Sequence, residues 1–507
     1  MTGAPDTPSS PAGRPRPAAP AAVVIERGLR FAWRRLEVLV LIHVGCMGLF
    51  SSWAFGGNIW WARDWLTLWG GLGLPLAALA LSQPGVRGSE VRQRAWVFLP
   101  WVLAGALVVV GCLNPSFVRR TMDGQAVLIH LGEAHPWLPS TVSPSVSLAR
   151  WAFAGGAWLA ACNLWLVVRR RRALRLLLAA AAVNTLVLAV FGTLQKLLVP
   201  ASKNADGFYS GFYFGSAVSP QERFFSTFIY NNHWGAFMVL FLAVGFGLLF
   251  YFAARRPHGR DQWHTPVPAT LAAGFFIALS APMSASRSAT ALAGLVIAVA
   301  TGVALRRITA ARRKQGRPVA ARLAAVCLVV LAVTAAGGWL ARASIEQRAR
   351  DTRESFGQEG GPLEGRLALY RDTWSLAMRK PWFGWGLGSF GTAFQLVRPR
   401  PVALNRQYEQ SYVEAHSDWL QAVAENGLIG TGLLLGLAGL PLLWLPWPAL
   451  RHPLVAWPLL GCALVALYAW VEFPFANGAV LIGFWTVYFA ALRYATLQQR
   501  AEAGADD

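Results

Sequence analysis

The 507-residue chain has little charge for its length: only 14% of its residues are Asp, Glu, Lys or Arg. Soluble domains carry about 25%, so this deficit excludes an ordinary soluble enzyme and points to lipid as the solvent. Cysteine is scarce and poorly placed for chemistry. Cys46, Cys112, Cys162, Cys327 and Cys462 all fall inside or at the edge of apolar blocks, and none forms a CxxC pair. That excludes a disulfide framework and a thiolate zinc site. No His-x-x-x-His or Glu-x-x-His pattern offers metal ligands, and nothing calls for a cofactor. No repeat with a period of 20–50 residues is visible. A secretory signal is also missing, because the first apolar block, from near Leu36, is full length and reads as an uncleaved anchor.

What the chain does have is apolar sequence: 55% of its residues are hydrophobic, and 24 are tryptophan. The hydrophobic residues come in blocks long enough to cross a hydrocarbon layer of roughly 30 Å. Twelve spans are read near 37–55, 64–81, 95–112, 148–168, 173–198, 226–253, 267–284, 288–305, 320–341, 416–438, 454–471 and 478–495. The net charge of +22 would suggest nucleic acid on a soluble chain. Here the basic residues gather in every second loop, at Arg27–Arg35, Arg87–Arg94, Arg169–Arg172, Arg255–Arg260 and Arg306–Arg317. That alternation is membrane topology, with the positive loops and both termini in the cytoplasm, and no nucleic-acid partner is expected.

The expected fold class is an all-α polytopic membrane protein of about twelve helices with a large periplasmic loop carrying short helices. Its expected parts are a disordered cytoplasmic tail over 1–35, N-terminal transmembrane helices over 36–198, and central helices over 199–341. The outer loop over 342–415, C-terminal helices over 416–495 and a cytoplasmic tail over 496–507 complete the chain. Within the outer loop, Leu367, Tyr370, Trp374 and Ala377 are spaced as the apolar stripe of an amphipathic surface helix.

Four basic side chains fall at the outer face. Arg223 precedes Asn231-Asn232-His233 at the mouth of the sixth span, and Arg287 sits in the turn Ser286-Arg287-Ser288 between two spans. Arg366 opens the amphipathic segment, and His416 opens the tenth span. An arginine at a span end is often only a snorkelling anchor. The positive-inside bias nevertheless makes basic groups on the outer side less expected, and ionisable groups at membrane depth normally face a polar cavity. A guanidinium fork suits a pyrophosphate, so arginines converging here would bind a lipid-linked one. His416 heads His416-Ser417-Asp418, and at helical pitch it shares a stripe with Gly427. It reads equally as a packing or capping residue and as a base for a hydroxyl nucleophile. Glu414 and Asp418 flank it, either as solvated loop acids or as orienting groups, and Glu472 lies at another outer span end. Gly384-Trp385-Gly386-Leu387-Gly388 lacks the Gly-Lys-Ser/Thr ending of a phosphate loop and reads as a tight turn packing the long loop onto the membrane.

These motifs, in this order, resemble the bacterial O-antigen ligase and polymerase superfamily of membrane glycosyltransferases. His416-Ser417, nine residues, then Gly427-Leu428-Ile429-Gly430 is similar to the ligase histidine motif. Arg366 with Tyr370 and Trp374, leading to the glycine-rich turn, resembles the family's arginine-bearing loop, and Ser286-Arg287-Ser288 its Ser-Arg-Ser turn. Arg223 before Asn231-Asn232 resembles a looser motif upstream, so the likeness spans about residues 200–440. The resemblance implies a GT-C-like fold in the bacterial inner membrane, with a periplasmic active site. It implies transfer of a glycan from an undecaprenyl-diphosphate donor to a lipid or glycan acceptor, with inversion. Arg223, Arg287 and Arg366 would bind the diphosphate. Arg287 and Arg366 would also act in catalysis with His416, supported by Tyr370, Ser417, Asn231 and Glu414. The absence of an Asp-x-Asp pair, which holds the metal in nucleotide-sugar transferases, favours a metal-free route. A ligase acting on lipid A core is the first reading and a polysaccharide polymerase the alternative. A protein oligosaccharyltransferase has no appended domain to mark it, and a lipid-linked glycan transporter lacks the internal symmetry usual for transporters.

Overall fold

The computed structural model describes residues 21–122, 125–198, 224–255, 264–316, 318–340, 362–397 and 412–504, with 342, 346 and 350. Arg223, most of the 199–225 loop and the residues 398–411 lie outside this set. The described chain is almost wholly helical. Its helices are α1 (Ala21–Trp53), α2 (Trp60–Gly71), α3 (Gly73–Ser82), α4 (Gly85–Gln93), α5 (Leu99–Leu113), α6 (Pro144–Val167), α7 (Arg171–Leu198) and α8 (Asn231–Ala254). They continue with α9 (Pro266–Met283), α10 (Arg287–Lys314), α11 (Ala320–Leu340), α12 (Pro362–Arg379), α13 (Asp418–Leu442), α14 (Pro453–Tyr468) and α15 (Gly478–Glu502).

Among the described residues, ten helical segments are long and apolar enough to cross a membrane, so the protein is a multi-pass membrane protein. Two of the twelve expected spans fall outside that set for a physical reason. The expected span at 148–168 is α6, whose Asn163, paired glycines and tryptophans lower its hydropathy. It does not need lipid-facing apolarity, since its C-terminal half is buried against α2, α5 and α15. There Gly70 and Gly156 let two backbones meet: a Cβ on Gly70 would lie 2.9 Å from the Gly156 carbonyl carbon. Asn163 is satisfied by donating to the Gly73 carbonyl at 2.8 Å. The other is α14, only 16 residues long and packed along α8. The innermost helix is α15, whose candidate span is buried throughout.

The helix ends sort to two poles, as alternating topology demands. At one pole Glu37 pairs with Arg170 at 3.0 Å, and Glu90 pairs with Arg169 at 2.7 Å and Arg500 at 3.1 Å. The opposite pole gathers the connections after α1, α5, α9, α12 and α14.

Two expectations need correction. Residues 21–35, expected within a disordered tail, are the start of α1; after Pro20 this stretch is proline-free and favours helix. In α12 the buried stripe is Leu369, Thr373, Leu376 and Ala377, whereas Leu367 and Trp374 are exposed, so the inward face is rotated from the expected one. The apolar count alone could not settle this, because α12 carries apolar residues on both sides. The all-α class holds, and the 113–147 loop adds one short antiparallel hairpin, Phe117–Met122 with Gln125–His130.

Candidate active site

The site is built where four chain connections meet. The link from α14 to α15 supplies Glu472, whose carboxylate is buried at 2% exposure. Such a charge is tolerated only when paired and hydrogen-bonded. Arg366, in the first turns of α12, donates Nη2 to Oε1 at 2.9 Å. Asn232, at the start of α8, donates to the same oxygen at 2.8 Å, and Tyr230 donates its hydroxyl to Oε2 at 3.4 Å. His416 brings Nδ1 to 3.8 Å from Oε2, close enough for charge to be felt but beyond a hydrogen bond.

His416 does not lie on a helix. It adopts a left-handed backbone, φ +53°, immediately before the cap Ser417. The helix begins at Asp418 and is interrupted at Gly427, so the shared stripe expected for His416 and Gly427 does not exist. The left-handed turn instead aims the ring out of the helix direction and against Phe473, edge to face at 4.9 Å. Tyr370 fixes the turn by donating its hydroxyl to the His416 carbonyl at 2.9 Å. Ser417 is fully buried; its Oγ accepts from Leu420 N and donates to the Ala469 carbonyl. Nδ1 of His416 is buried without a hydrogen-bond partner among the described residues, which leaves the Nε2 edge as the accessible one. Among the described residues, the other non-glycine residues with positive φ are Phe55, Ser226 and Ala285, and all stand in connections of this same pole. Such strain, of order 1–3 kcal/mol each, gathers at functional sites.

Electrostatics hold the cluster together. Partial burial works against the charge of Arg366, but the Glu472 carboxylate more than offsets it and lifts the guanidinium above the ordinary arginine range. Burial raises the Tyr370 phenol, so it remains a hydrogen-bond donor.

Arg287 stands at the first turn of α10, capped by Ser286, and is exposed with no polar partner among the described residues. A cation there meets the positive end of the helix dipole, an arrangement that favours an incoming anion over an internal partner. Asn231 ties this turn to the site: its amide donates to the Ser284 carbonyl at 2.8 Å, next to the Asn232 that holds Glu472. Glu414 does not touch His416. It sits 3.7 Å from Arg150 and accepts from Gln421 at 2.6 Å, a link that stiffens the approach to His416. Asp418 is not a free loop acid either, since it accepts from Phe475 N at 2.8 Å.

The glycine-rich turn has the most specific role. At Gly427, φ +61° and ψ −170°, α13 breaks and frees backbone groups on both sides of the break. The turn repairs the break strand-fashion: Trp385 N and Gly386 N donate to the Ala424 and Glu425 carbonyls at 3.0 and 2.7 Å. Leu428 N and Ile429 N donate to Pro381 O and Trp382 O at 2.8 and 3.1 Å. Glu425, buried at 5%, accepts from Gly388 N and Phe390 N. Lys380 then clamps the 113–147 segment to the turn through Glu133 and Ser140, both at 2.9 Å.

Sequence reasoning missed two basic residues at this pole. Arg63 donates to Asn58 and to the Ala476 carbonyl, and Arg150 faces Glu414. Their positions near the starts of α2 and α6 were the available signal.

A bundle of membrane helices with a buried carboxylate binding arginine beside an open histidine at one pole defines a class: polytopic membrane proteins with a polar site at the membrane surface. Residues 272–435, about a third of the chain, match the family model described as O-antigen ligase. The segment includes Arg287, Arg366, Tyr370 and His416; Glu472 and Asn232 lie outside it. No curated protein matches the chain.

Proposed function

We propose that the protein is a membrane glycosyltransferase of the O-antigen ligase type, moving a glycan from an undecaprenyl-diphosphate donor to an acceptor hydroxyl on the periplasmic side of the inner membrane. The observation that carries this reading is the Arg366–Glu472–His416 cluster, tied through Asn231 to the turn that precedes Arg287, which has no polar partner among the described residues. Arg287 and the half-exposed Arg366 bind the donor diphosphate and stabilise charge as it leaves. His416 takes the acceptor proton at Nε2, while Glu472 behind Nδ1 stabilises the imidazolium that forms. Attack at the anomeric carbon, with the lipid diphosphate departing, inverts the configuration. No step needs a metal. Arg223 belongs to the same diphosphate set by its place in the sequence, although it lies outside the described residues. The basic loops of the Glu90 pole face the cytoplasm, with both termini. A ligase is preferred over a polymerase because the complete His416-Ser417 to Gly427–Gly430 pattern resembles the ligase motif.

The test is purified protein with undecaprenyl-diphosphate-linked glycan and lipid A core. A ligase yields one added band and free undecaprenyl diphosphate; a ladder without core identifies a polymerase. Arg287→Ala is expected to lower the rate by about 10²-fold, the scale for one lost transition-state donor. Folded protein that transfers nothing but carries the lipid across a bilayer overturns the enzyme reading.

A further inference from the structure

At the pole opposite the active site, Arg493 of α15 is completely buried. Its Nε donates to the Val168 carbonyl at the end of α6, but Nη1 and Nη2 have no hydrogen-bond partner among the described residues. A guanidinium buried without a counter-charge is costly, and its neighbours worsen the balance. Arg94, Arg169 and Arg500 all lie within electrostatic reach, against the single carboxylate of Glu90. That carboxylate is already shared by Arg169 and Arg500. Arg94 lies over the Trp165 ring at 5.0 Å and has no carboxylate partner among the described residues. The positive-inside rule explains basic residues in loops at this pole, but not one buried in a helix with two free donors.

Exposure is graded across the cluster: the Arg500 side chain is 36% exposed, Arg94 is 8% exposed and Arg493 is fully buried. An anion approaching from the surface therefore meets Arg500 first and reaches the unpartnered donors last. We infer that this pole binds a phosphate group among Arg94, Arg493 and Arg500, carried by an anionic phospholipid headgroup or present as free phosphate. Guanidinium forks match phosphate oxygens two at a time, and basic pockets between membrane helices recognise such headgroups. The bound phosphate supplies the negative charge the cluster lacks and ties α15 to the α4–α5 connection, where Arg94 stands. This does not depend on the reaction at the other pole.

Thermal unfolding of the full-length protein in phosphate-free micelles tests it, with added phosphatidylglycerol, phosphatidylcholine or inorganic phosphate. Phosphatidylglycerol should raise the midpoint by a few degrees where phosphatidylcholine does not. Arg493→Met, which exchanges an unpaired buried charge for an apolar side chain, should fold at least as well as wild type and lose the shift. Arg500→Gln, at the surface, should reduce it. If inorganic phosphate alone gives the whole shift and Arg493→Met abolishes it, the site takes the free ion. No shift with either phosphate source, or one undiminished in both variants, overturns the assignment.

Discussion

Glu472→Gln is expected to lower glycan transfer by about 10²–10³-fold while leaving the protein folded, the scale of effect when the group supporting a histidine base is neutralised. The substitution keeps the shape of the side chain but withdraws the negative charge facing Arg366 at 2.9 Å and His416 at 3.8 Å. With its oxygen in the Oε1 place the glutamine still accepts from Asn232 and Arg366, and its NH2 in the Oε2 place donates to the Tyr230 hydroxyl, so the connection after α14 keeps its anchors. Glu472→Ala is a different experiment. It leaves three donors facing a hole, at roughly 1–3 kcal/mol for each one left unsatisfied, and confounds stability with chemistry. The glutamine variant should therefore show near-normal unfolding together with a collapsed turnover number. Normal turnover in Glu472→Gln would reduce Glu472 to a packing group.

Gly427→Ala should cost more stability than any other single methyl group added to α13. Its φ of +61° with ψ near −170° is a conformation essentially confined to glycine, and a Cβ would meet the Trp382 carbonyl carbon at 2.3 Å and Phe383 N at 2.4 Å. Both are backbone atoms and cannot swing aside. Relief requires the glycine-rich turn to leave the helix break, with loss of its four backbone hydrogen bonds. The expected destabilisation is about 3 kcal/mol or more, with faster hydrogen exchange over 381–390 and 424–429. Gly432→Ala is the control: nothing lies within 4 Å of its added Cβ, and helix propensity predicts a neutral or slightly stabilising change. Equal effects at the two positions would show that the break is not a fixed element of the fold.

The contrast between these positions shows what the sequence makes legible. Span positions and alternating loop charge are one-dimensional patterns, and the ten segments long and apolar enough to cross a membrane follow them. His416 and Arg366 could be picked out because a basic group in a loop expected to be outer is anomalous within the chain itself. Glu472 carried only a weak signal, an acid before Phe473-Pro474, because its role depends on partners some 106 and 240 residues away in sequence. Gly427 looked like a packing glycine, since a positive φ inside a helix leaves no mark on composition. The hairpin had a readable cue in Asp123-Gly124 between two short runs, a common hairpin dipeptide, but those runs are short beside the long apolar spans on either side. Arg63 and Arg150 were lost for the same reason, as single charges inside segments read for their apolarity.

The most direct test of the account is a double-mutant cycle on kcat/KM with His416→Ala, Glu472→Gln and the pair. If Glu472 acts through His416 within one catalytic unit, the double variant should be little slower than His416→Ala alone, as groups that work together are strongly non-additive. Losses that multiply independently would contradict the claim that the Arg366–Glu472–His416 cluster is the active site.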